Sequence, residues 1–541
     1  MKREELKRPT CCLLSAVLSA QLVFAGQTEV ALSPERVRAI KSYLAAQACP
    51  LPKIDAENYG EKSAVPQGRE YYGHTDDPLP KLKGFEQIGH LPDRDAADTS
   101  SRFLSAGLEM GSRRFGVEIV PCLKAAGFKR ARLAYSWRQI ERKKGEYDFR
   151  SLDEKVDALI AAGIEPWFYG GYGNELYYER KVEVKNKNNS VFWDAPCYHG
   201  EEAMAAWFRF VEAVGEHYKG RVRLYEIWNE LDWRWFKDGE AALKELGPIR
   251  VAQDYTAFYR RTVEILKRID PSVQATVSVA KYDSPWLIAL SRTGLPELVD
   301  LWTYHSYRRS AEEGVRDWVK RYGALMRRRD GSLPEIVMGE SGRGVGPKPT
   351  SRFITRTEYV QAKFVVRRMF FDMAMGAKFC NLFDVGDGRY GIFKLEERTP
   401  RLAWYVIRAL GSVFDGLEYA PDLYVSYTCR GRQTLESQVA YNGVECHAYR
   451  RKGVPVYVWW VPEHLDLEGE QLFGRLTTQS GLGAEDNFKN PILIDPVRRT
   501  VWDVKNAVWS GEPGWDMINM TPANGTPYVF TDLSIFNEYV P

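Results

Sequence analysis

The chain of 541 residues is too long for one small module and suggests about two to four domains, or fewer if one of them is a large barrel. Its 75 Lys and Arg residues nearly balance its 72 Asp and Glu residues, which gives a net charge of +3. This balance argues against a protein that binds nucleic acid or an anionic membrane surface through bulk charge. Recognition therefore has to come from the shape and chemistry of particular sites.

The first 25 residues are predicted to be a secretory signal peptide. Basic residues at 2, 3, 7 and 8 precede an uncharged run over 11–25, which ends in the small residues Ala25-Gly26. The run is shorter than the roughly 20 apolar residues of a membrane span, and no later stretch of the sequence reaches that length. We therefore expect an exported chain, secreted or periplasmic, without a membrane span.

The cysteines and histidines do not indicate a metal site. Two of the 8 cysteines fall in the predicted signal peptide, and the others are scattered without Cys-x-x-Cys spacing. In an exported protein Cys429 and Cys446 could form one disulfide, with buried free thiols as the alternative. The 7 His residues include no His-x-His or His-Glu-x-x-His spacing, so we predict neither a metal nor another cofactor.

Between residues 101 and 415, short β-rich runs alternate with amphipathic helical patterns. Eight strands are predicted there, at Leu104–Met110, Lys129–Trp137, Glu165–Tyr172, Leu224–Asn229, Gln274–Val279, Leu301–His305, Glu335–Gly339 and Lys378–Asp384. Helical patterns follow them, among them Val117–Ala126, Leu152–Ala162, Ala203–Tyr218, Tyr255–Ile269 and Arg401–Phe414. Right-handed β/α crossovers in this number close most simply into a barrel, so the fold class is predicted to be α/β with a (β/α)8 TIM barrel.

The residues on either side of the barrel have different patterns. Ser33 and Pro34 begin an amphipathic run to Ala48 that predicts a capped helix, and the rest of 26–100 is expected to be an irregular segment that wraps the barrel. After residue 415, turn signals such as Asn524-Gly525 separate short β runs, which include Val454–Val461, Ile492–Val497 and Tyr528–Phe530. Residues 416–541 are therefore predicted to form an antiparallel β-sandwich domain.

Polar residues interrupt the apolar pattern at the ends of the fourth and seventh predicted strands. Asn229-Glu230 closes the fourth strand and Gly339-Glu340 closes the seventh. The carboxyl ends of barrel strands form the active face, so the two glutamates are expected to face one pocket from opposite walls. A lone Glu at a strand end is more often an ion-pair partner. Two in one pocket fit the hydrolysis of glycosides by double displacement, which holds a nucleophile and an acid/base about 5–5.5 Å apart.

Several motifs carry a resemblance to a known group of enzymes. Trp228-Asn229-Glu230, Gly339-Glu340 and the run Trp137–Glu141 followed by Gly145–Phe149 resemble the clan A glycoside hydrolases. Within that clan the chain is most similar to family 39, with features of family 5. The resemblance covers roughly residues 101–415 and implies a (β/α)8 barrel and a retaining mechanism.

The resemblance also implies roles for individual residues. Glu230 would be the acid/base, Glu340 the nucleophile, and Asn229 the residue that hydrogen-bonds the 2-hydroxyl of the sugar. Trp137, in the first of the paired motifs, is a further candidate for substrate binding. The family 39 nucleophile is usually preceded by Thr, whereas this chain has Gly339.

Other side chains could serve the two glutamates. A nucleophile needs cationic or donor neighbours to stay ionised, and an acid needs an apolar wall. Arg132, inside the second strand, could meet the first need, as the matching arginine does in family 5, and Trp228 could meet the second; a structural ion pair is the alternative for Arg132. The run Tyr304–Tyr307 resembles the clan's His-x-Tyr pattern, in which His305 binds substrate and Tyr307 hydrogen-bonds the nucleophile.

Residues after other strands are candidates for the walls of the site. Tyr172 and Asn174, beyond the third strand, lie next to glycines that would let a sugar ring approach the backbone, with loop packing as the alternative. Asp384 or Asp387, at the end of the eighth strand, could bind hydroxyls of the nonreducing sugar. Lesser candidates are Glu109, Trp193, Trp233 and Trp235.

These observations together predict an exported retaining β-glycosidase that acts on oligosaccharides or polysaccharides without a cofactor. A noncatalytic glycan-binding barrel is one alternative, and a transglycosylase or lyase that uses the same site is another. Xylosides, glucosides, galactosides and mannosides differ in single hydroxyl groups, so all of these substrates remain open.

Overall fold

The structure is a computed structural model. It describes residues 32–47, 79–92, 99, 104–107, 116–178, 195–231, 245–280, 285–308, 310–346, 354–355, 357–385, 390–394, 399–429, 444–462, 472–479 and 487–540. The predicted signal peptide lies outside these ranges. Within them, no helix is both long enough and apolar enough to cross a membrane.

Eight parallel strands form a closed barrel in sequence order. They are Leu104–Gly107, Arg130–Ser136, Glu165–Gly171, Leu224–Ile227, Gln274–Val279, Leu301–His305, Glu335–Ser341 and Ala377–Phe383. The eighth strand pairs with the first, with Leu382 opposite Ala106, and so closes the ring. The prediction of a (β/α)8 TIM barrel is confirmed. The seventh strand continues past its predicted end at Gly339 to Ser341, so Glu340 lies on the strand itself.

Large apolar side chains fill the inside of the barrel near the amino ends of the strands. Trp167, Leu224, Leu301, Val337 and Phe379 come from five different strands and form a buried cluster of their own. The rings of Trp167 and Phe379 meet edge to face with centroids 5.6 Å apart. Interior side chains of such barrels pack in layers and leave no pore. The glutamates at 230 and 340 lie above this layer, toward the carboxyl ends of the strands.

Helices on the outside of the barrel connect its strands, as the alternating pattern predicts. The α-helices of the β/α units are Val120–Ala125, Arg150–Ala161, Glu201–His217, Pro248–Ile269, Pro285–Ser291, Val315–Leu325, Glu358–Ala374 and Leu402–Val413. An unpredicted insertion follows the second strand and consists of the short helix Trp137–Ile140 and a hairpin of Glu141–Lys143 with Glu146–Tyr147. It lies on the active face because it follows the carboxyl end of a strand.

Two antiparallel sheets follow the barrel, which confirms the predicted sandwich. In spatial order, the larger sheet contains Glu86–His90, Thr500–Asp503, Pro491–Asp495, Tyr528–Asp532, Val454–Trp460, Glu445–Arg451 and Leu417–Tyr419. The smaller sheet contains Tyr424–Cys429, Leu472–Gln479, Trp515–Ala523 and Val508–Glu512. The pair Cys429 and Cys446 remains a prediction, since the side chain of Cys429 lies outside the described part of the chain.

The segment before the barrel contributes to the C-terminal sheet. The prediction for residues 26–100 contained a helix but no strand, whereas Glu86–His90 pairs antiparallel with Thr500–Asp503 at the sheet edge. The predicted helix is confirmed at Pro34–Ala45, and its first turn is capped by Ser33, whose Oγ accepts a 3.1 Å hydrogen bond from the N–H of Arg36. The segment before the barrel therefore supplies an edge strand to the C-terminal sheet.

Buried polar contacts join the sandwich to the barrel. The indole of Trp460 donates to Glu312 Oε1 at 2.7 Å, and the guanidinium of Arg367 forms two bonds of 2.9 Å with the same carboxylate. The hydroxyl of Tyr449 donates to the carbonyl of Phe370 at 2.6 Å. The sandwich thus packs on the helix after the seventh strand, which is the strand that carries Glu340.

Candidate active site

Glu230 follows the fourth strand in an unusual backbone conformation. Trp228 and Glu230 have φ values of 71° and 50°, a left-handed region that non-glycine residues rarely occupy. The N–H of Glu230 donates to Ser278 Oγ at 2.9 Å, which holds this turn against the fifth strand. The side chain of Glu230 is only 9% exposed. Such conformations cost energy and are concentrated at functional sites.

Glu340 lies on the opposite wall and receives hydrogen bonds on both of its oxygens. Arg132 donates to Oε1 at 2.5 Å, and the hydroxyl of Tyr307 donates to Oε2 at 3.1 Å. The side chain of Glu340 is 7% exposed, so these donors act where water contributes little. A cation and a hydroxyl donor both favour the ionised form of a carboxyl group. The contact of Tyr307 is the one that the His-x-Tyr pattern implies.

His305 connects the two glutamates. Its Nδ1 lies 2.9 Å from Glu230 Oε1 and 3.6 Å from Glu340 Oε2. One carboxylate oxygen of Glu230, one of Glu340 and a ring nitrogen of His305 all lie within 4.8 Å of one another. Burial alone would lower the pKa of His305, but the charge of Glu340 and the hydrogen bond with Glu230 outweigh it and raise the pKa. An imidazolium at this position bonds one glutamate and attracts the other.

A third glutamate, which the sequence analysis did not single out, lies beneath the pair. Glu226, on the fourth strand, is fully buried and accepts two hydrogen bonds from Arg132, at 2.9 Å from Nε and 2.8 Å from Nη2. Burial alone would lower the pKa of Arg132, but the charges of Glu226 and Glu340 raise it well above its usual value. The guanidinium also lies 3.6 Å from the ring centroid of Tyr169. Arg132 is therefore held on several sides.

Asn229 is oriented by the same arginine. Its Oδ1 accepts a 2.8 Å hydrogen bond from Arg132 Nη2, and the residue is almost fully buried. Because the two polar atoms of an amide point in different directions, this bond turns the NH2 of Asn229 away from the guanidinium. One arginine therefore sets the geometry of Glu226, Asn229 and Glu340.

The sequence matches no protein-family model and no curated protein. Among solved structures, it is similar to a family 39 glycoside hydrolase from Bacteroides cellulosilyticus, with 15% identity, a TM-score of 0.56 and coverage of 82% of this chain and 83% of that chain. The chain has the fold of this family 39 enzyme. Also similar are a family 39 enzyme from Xanthomonas axonopodis, with 14% identity, a TM-score of 0.48 and coverage of 81% and 96%, and a family 39 β-xylosidase from Caulobacter crescentus, with 14% identity, a TM-score of 0.46 and coverage of 80% and 96%.

The residue before Glu340 departs from the usual family 39 pattern for a steric reason. A Cβ atom at Gly339 would lie 1.9 Å from Thr303 Cγ2 and 3.2 Å from the ring of His305. Thr303 is fully buried on the neighbouring sixth strand and is bonded to Thr276 at 2.7 Å. The space that a threonine at 339 would need is thus already occupied. This departure is compatible with the family 39 fold.

Two predicted substrate-binding residues are corrected by the structure. Trp137 is 0% exposed, stacks on Tyr177 at 5.4 Å and donates through its indole to Glu141 Oε2 at 2.6 Å. Asn174 is also fully buried, donates to the carbonyl of Glu141 at 2.9 Å and accepts from the N–H of Leu176 at 3.1 Å. Neither side chain offers a surface to a sugar. Both instead tie the inserted hairpin to the third β/α unit.

The remaining predicted wall residues stay predictions. Tyr172 is half-buried and meets the buried ring of Trp228 edge to face at 5.6 Å. Asp384 is mostly buried just after the eighth strand. Five others lie outside the described residues, namely Glu109, Trp193, Trp233, Trp235 and Asp387.

An aromatic cluster that the sequence analysis missed adjoins Glu340. Tyr307 meets Phe383 and Tyr390 with ring centroids 5.9 Å and 6.1 Å away. Phe383 ends the eighth strand, and Tyr390 is half-buried in the loop that follows. These contacts hold the ring whose hydroxyl bonds Glu340. No motif marks Phe383 and Tyr390 as neighbours of Tyr307, because the two rings lie at or after the end of a different strand of the barrel.

The glutamates and His305 also have the ligand types of a divalent cation site. Some of their ligand atoms are engaged otherwise in this structure, since His305 Nδ1 bonds Glu230 and Arg132 bonds Glu340. A guanidinium only 2.5 Å from Glu340 Oε1 would repel a second cation at that oxygen. The arrangement therefore suits proton and group transfer better than metal binding.

Proposed function

We propose that this protein is an exported retaining β-glycosidase, which cleaves the O-glycosidic bonds of oligosaccharides or polysaccharides by double displacement. One observation carries the proposal, namely that carboxylate oxygens of Glu230 and Glu340 lie within 4.8 Å of each other at the carboxyl end of the barrel. Retaining enzymes hold their two carboxyl groups about 5–5.5 Å apart, whereas inverting enzymes need about 6.5–9.5 Å to admit a water molecule.

The hydrogen bonds support Glu340 as the nucleophile. Its two oxygens accept from Arg132 and Tyr307, so its negative charge is stabilised without blocking every lone pair. In the first step a Glu340 oxygen attacks the anomeric carbon while Glu230 gives its proton to the glycosidic oxygen. The bond to the leaving group breaks, and an ester joins the sugar to Glu340.

The second step reverses the roles at Glu230. The Glu230 carboxylate takes a proton from a water molecule, whose oxygen attacks the anomeric carbon and breaks the ester to Glu340. His305, at 2.9 Å from Glu230 Oε1, can hold one oxygen of this carboxyl group while the other exchanges the proton. The NH2 of Asn229 is the donor best placed for the sugar 2-hydroxyl, since Arg132 occupies the amide oxygen.

Product stereochemistry and rescue chemistry test this function together. We expect 1H NMR to detect the β-anomer as the first product released from nitrophenyl β-glycosides. A panel of xyloside, glucoside, galactoside and mannoside identifies the sugar. In Glu230→Ala, turnover of substrates with poor leaving groups should fall by about 10³-fold, because they need acid catalysis. With good leaving groups, azide should restore turnover, because it attacks the ester to Glu340 without a general base and gives a β-glycosyl azide.

Two results would contradict the proposal. An α-anomer as the first product would indicate inversion. Binding of glycosides without turnover by the unmodified protein would instead favour the noncatalytic glycan-binding alternative. Transglycosylation would be recognised by transfer of the sugar to an added alcohol in place of water.

Export is a separate part of the proposal. It rests on the basic start and the uncharged run of the first 25 residues. The mature chain is expected to begin at Gly26. N-terminal sequencing of the protein from the extracellular or periplasmic fraction tests this, and an uncleaved chain in the cytoplasm would contradict it.

A further inference from the structure

The smaller sheet of the sandwich carries a row of aromatic side chains on its outer face. Directly opposed residues of antiparallel strands point to the same face, and Tyr424, Gln479, Trp515 and Glu512 are opposed in turn across the four strands. The next row on the same face contains Ser426, Thr477, Met517 and Trp509. We call these two rows the aromatic face. The opposite face of the sheet is buried, with Leu476 and Ile518 in the sandwich core.

The rings of the aromatic face are exposed and held in place. Trp509 is 49% exposed and Tyr424 is 47% exposed, which is unusual for side chains of this size. Trp509 lies directly against the backbone of Gly511, where a Cβ atom would be only 1.8 Å from the ring. Tyr424 packs against Trp515 with centroids 5.5 Å apart. One side of each ring is thereby supported, and ordering it on binding loses little conformational entropy.

The polar residues between the rings indicate the chemistry of the ligand. Hydroxyl and amide groups of Ser426, Thr477 and Gln479 share the two rows with the aromatic rings, and Glu512 is the only charged residue in these rows. A face of this composition lacks the continuous apolar area of a stable protein interface. Arg475, two residues before Thr477 on the same face, is bonded to Asn519 at 2.9 Å. This single arginine is not the cluster of cations that an anionic polymer needs. Neutral sugars match the aromatic face, because they present apolar C–H faces to rings and hydroxyl groups to polar side chains.

We propose that the aromatic face binds a neutral polysaccharide chain. Strands in a sheet are about 4.8 Å apart, so Tyr424 on the first strand and Trp509 on the fourth are separated by about 14 Å. This length accommodates several consecutive sugar rings of an extended chain. The inference rests on the proposed function, since the polymer bound there would be the one whose bonds the barrel hydrolyses. It assigns the sandwich the task of keeping the enzyme on its substrate.

Affinity electrophoresis of the full chain tests the proposal in a background that does not degrade the polymer. Glu340→Gln protein is run through native gels containing xylan, mixed-linkage β-glucan or galactomannan, with polygalacturonate as the charged control. We expect at least one neutral polymer to retard the protein, and polygalacturonate not to. Adding Trp509→Ala should weaken this retardation about fivefold or more, because one stacked ring is lost. Tyr424→Ala, on the opposite edge strand, should act in the same direction.

The matched control is Tyr419→Ala, which removes an exposed tyrosine from the larger sheet. It should leave the retardation unchanged, and thermal unfolding verifies that each variant is folded. Equal retardation of Trp509→Ala and the control, or no retardation by any of the neutral polymers, would overturn the proposal. The proposal would also be overturned if sedimentation showed that Trp509→Ala dissociates a dimer of the chain while polymer binding is unaltered, because the ring would then belong to a contact between two copies. An unmodified enzyme that hydrolyses no nitrophenyl glycoside would overturn only the proposed function, since retardation is measured without turnover.

Discussion

Two clusters of buried charge lie on opposite sides of the sixth barrel strand. Tyr304 and His305 are consecutive, so their side chains point to opposite faces of the sheet. His305 is bonded to Glu230 at 2.9 Å, on the inside of the barrel. Tyr304 donates to Asp372 at 2.9 Å, on the helix packed outside. A single strand thus contributes to the candidate active site and to a structural network.

The outer cluster is neutral and closed. Arg368 and Asp372 are both fully buried and pair in two contacts, one of them 2.8 Å between Nε and Oδ2. Arg368 also donates to the carbonyl of Ala311 at 2.5 Å and to Ser306 Oγ at 3.3 Å. Burial raises the pKa of Asp372 despite the opposing charge of Arg368. Every charge here has its partner within the fold.

The inner cluster is unbalanced and slightly open. Glu226, Glu230 and Glu340 face one arginine and one histidine, and the latter two glutamates retain some exposure. Burial of charge alone therefore does not distinguish the two clusters. The difference is that the inner cluster has more carboxyl groups than cations, so that one of them can carry a proton, and that Glu230 and Glu340 are not completely buried. Separate substitutions in the two clusters test this distinction, because those in the inner cluster should reduce turnover and those in the outer cluster should reduce stability.

The largest expected effect is that of Glu340→Gln on turnover. Loss of the nucleophile should lower kcat on nitrophenyl β-glycosides by about 10⁴-fold or more. The melting temperature should be unchanged or higher, because one of three crowded carboxylates is neutralised. Steady-state kinetics and calorimetry on the same preparation measure both. Substantial residual turnover at an unchanged melting temperature would remove Glu340 from the mechanism.

Glu226→Gln should have the next largest effect on turnover. Glu226 does not face the substrate but fixes Arg132 through two hydrogen bonds, so the variant loosens the arginine that orients Glu340 and Asn229. We expect kcat to fall by about 10²-fold with KM nearly unchanged, together with a shift of the pH–rate profile. The control is Glu141→Gln, another fully buried glutamate, which anchors the hairpin. Similar losses in both variants would indicate general destabilisation and contradict a positioning role.

Sequence patterns are sufficient to predict the barrel and the central residues of the site. The alternation of strands and helices is repeated eight times and leaves few topologies open. Glu230, Glu340 and His305 are charged or titratable groups at the ends of apolar strands, which predicts that they line the active face. Arg132 lies inside the second strand, and its place beside the nucleophile is implied by the family resemblance. The structure brings these four side chains into contact.

Sequence reasoning missed or misplaced those residues whose role depends on where the side chain points and on how it packs locally. Glu226 lies inside the predicted fourth strand, and its buried charge becomes informative only once Arg132 is known to pair with it. Trp137 and Asn174 follow strands of the active face, but the unpredicted hairpin turns both into its own packing contacts. A residue position at a strand end does not specify where its side chain points.

Asp372→Asn should affect stability far more than turnover. Removal of one partner of a fully buried ion pair leaves Arg368 uncompensated, and the free energy of unfolding should fall by about 3 kcal/mol or more. The kcat of the folded protein should stay within about threefold. Asp422→Asn is the matched control, because it breaks an exposed pair with Arg450 and should change stability by less than about 1 kcal/mol. Urea unfolding measures both variants, and equal changes would contradict the distinction between a closed and a surface pair.

The smallest effect concerns the pH dependence contributed by His305. The pKa of His305 is raised in the folded protein, so protonation stabilises the fold, fully below the unfolded value of about 6.5 and progressively less as the pH rises through the folded-state pKa. The difference in unfolding free energy between the unmodified protein and His305→Asn should therefore be larger at pH 5.5 than at pH 9. Comparing the two proteins cancels groups that titrate in both. A difference that grows with pH would mean that His305 is held neutral and that burial, rather than its two glutamates, controls its charge.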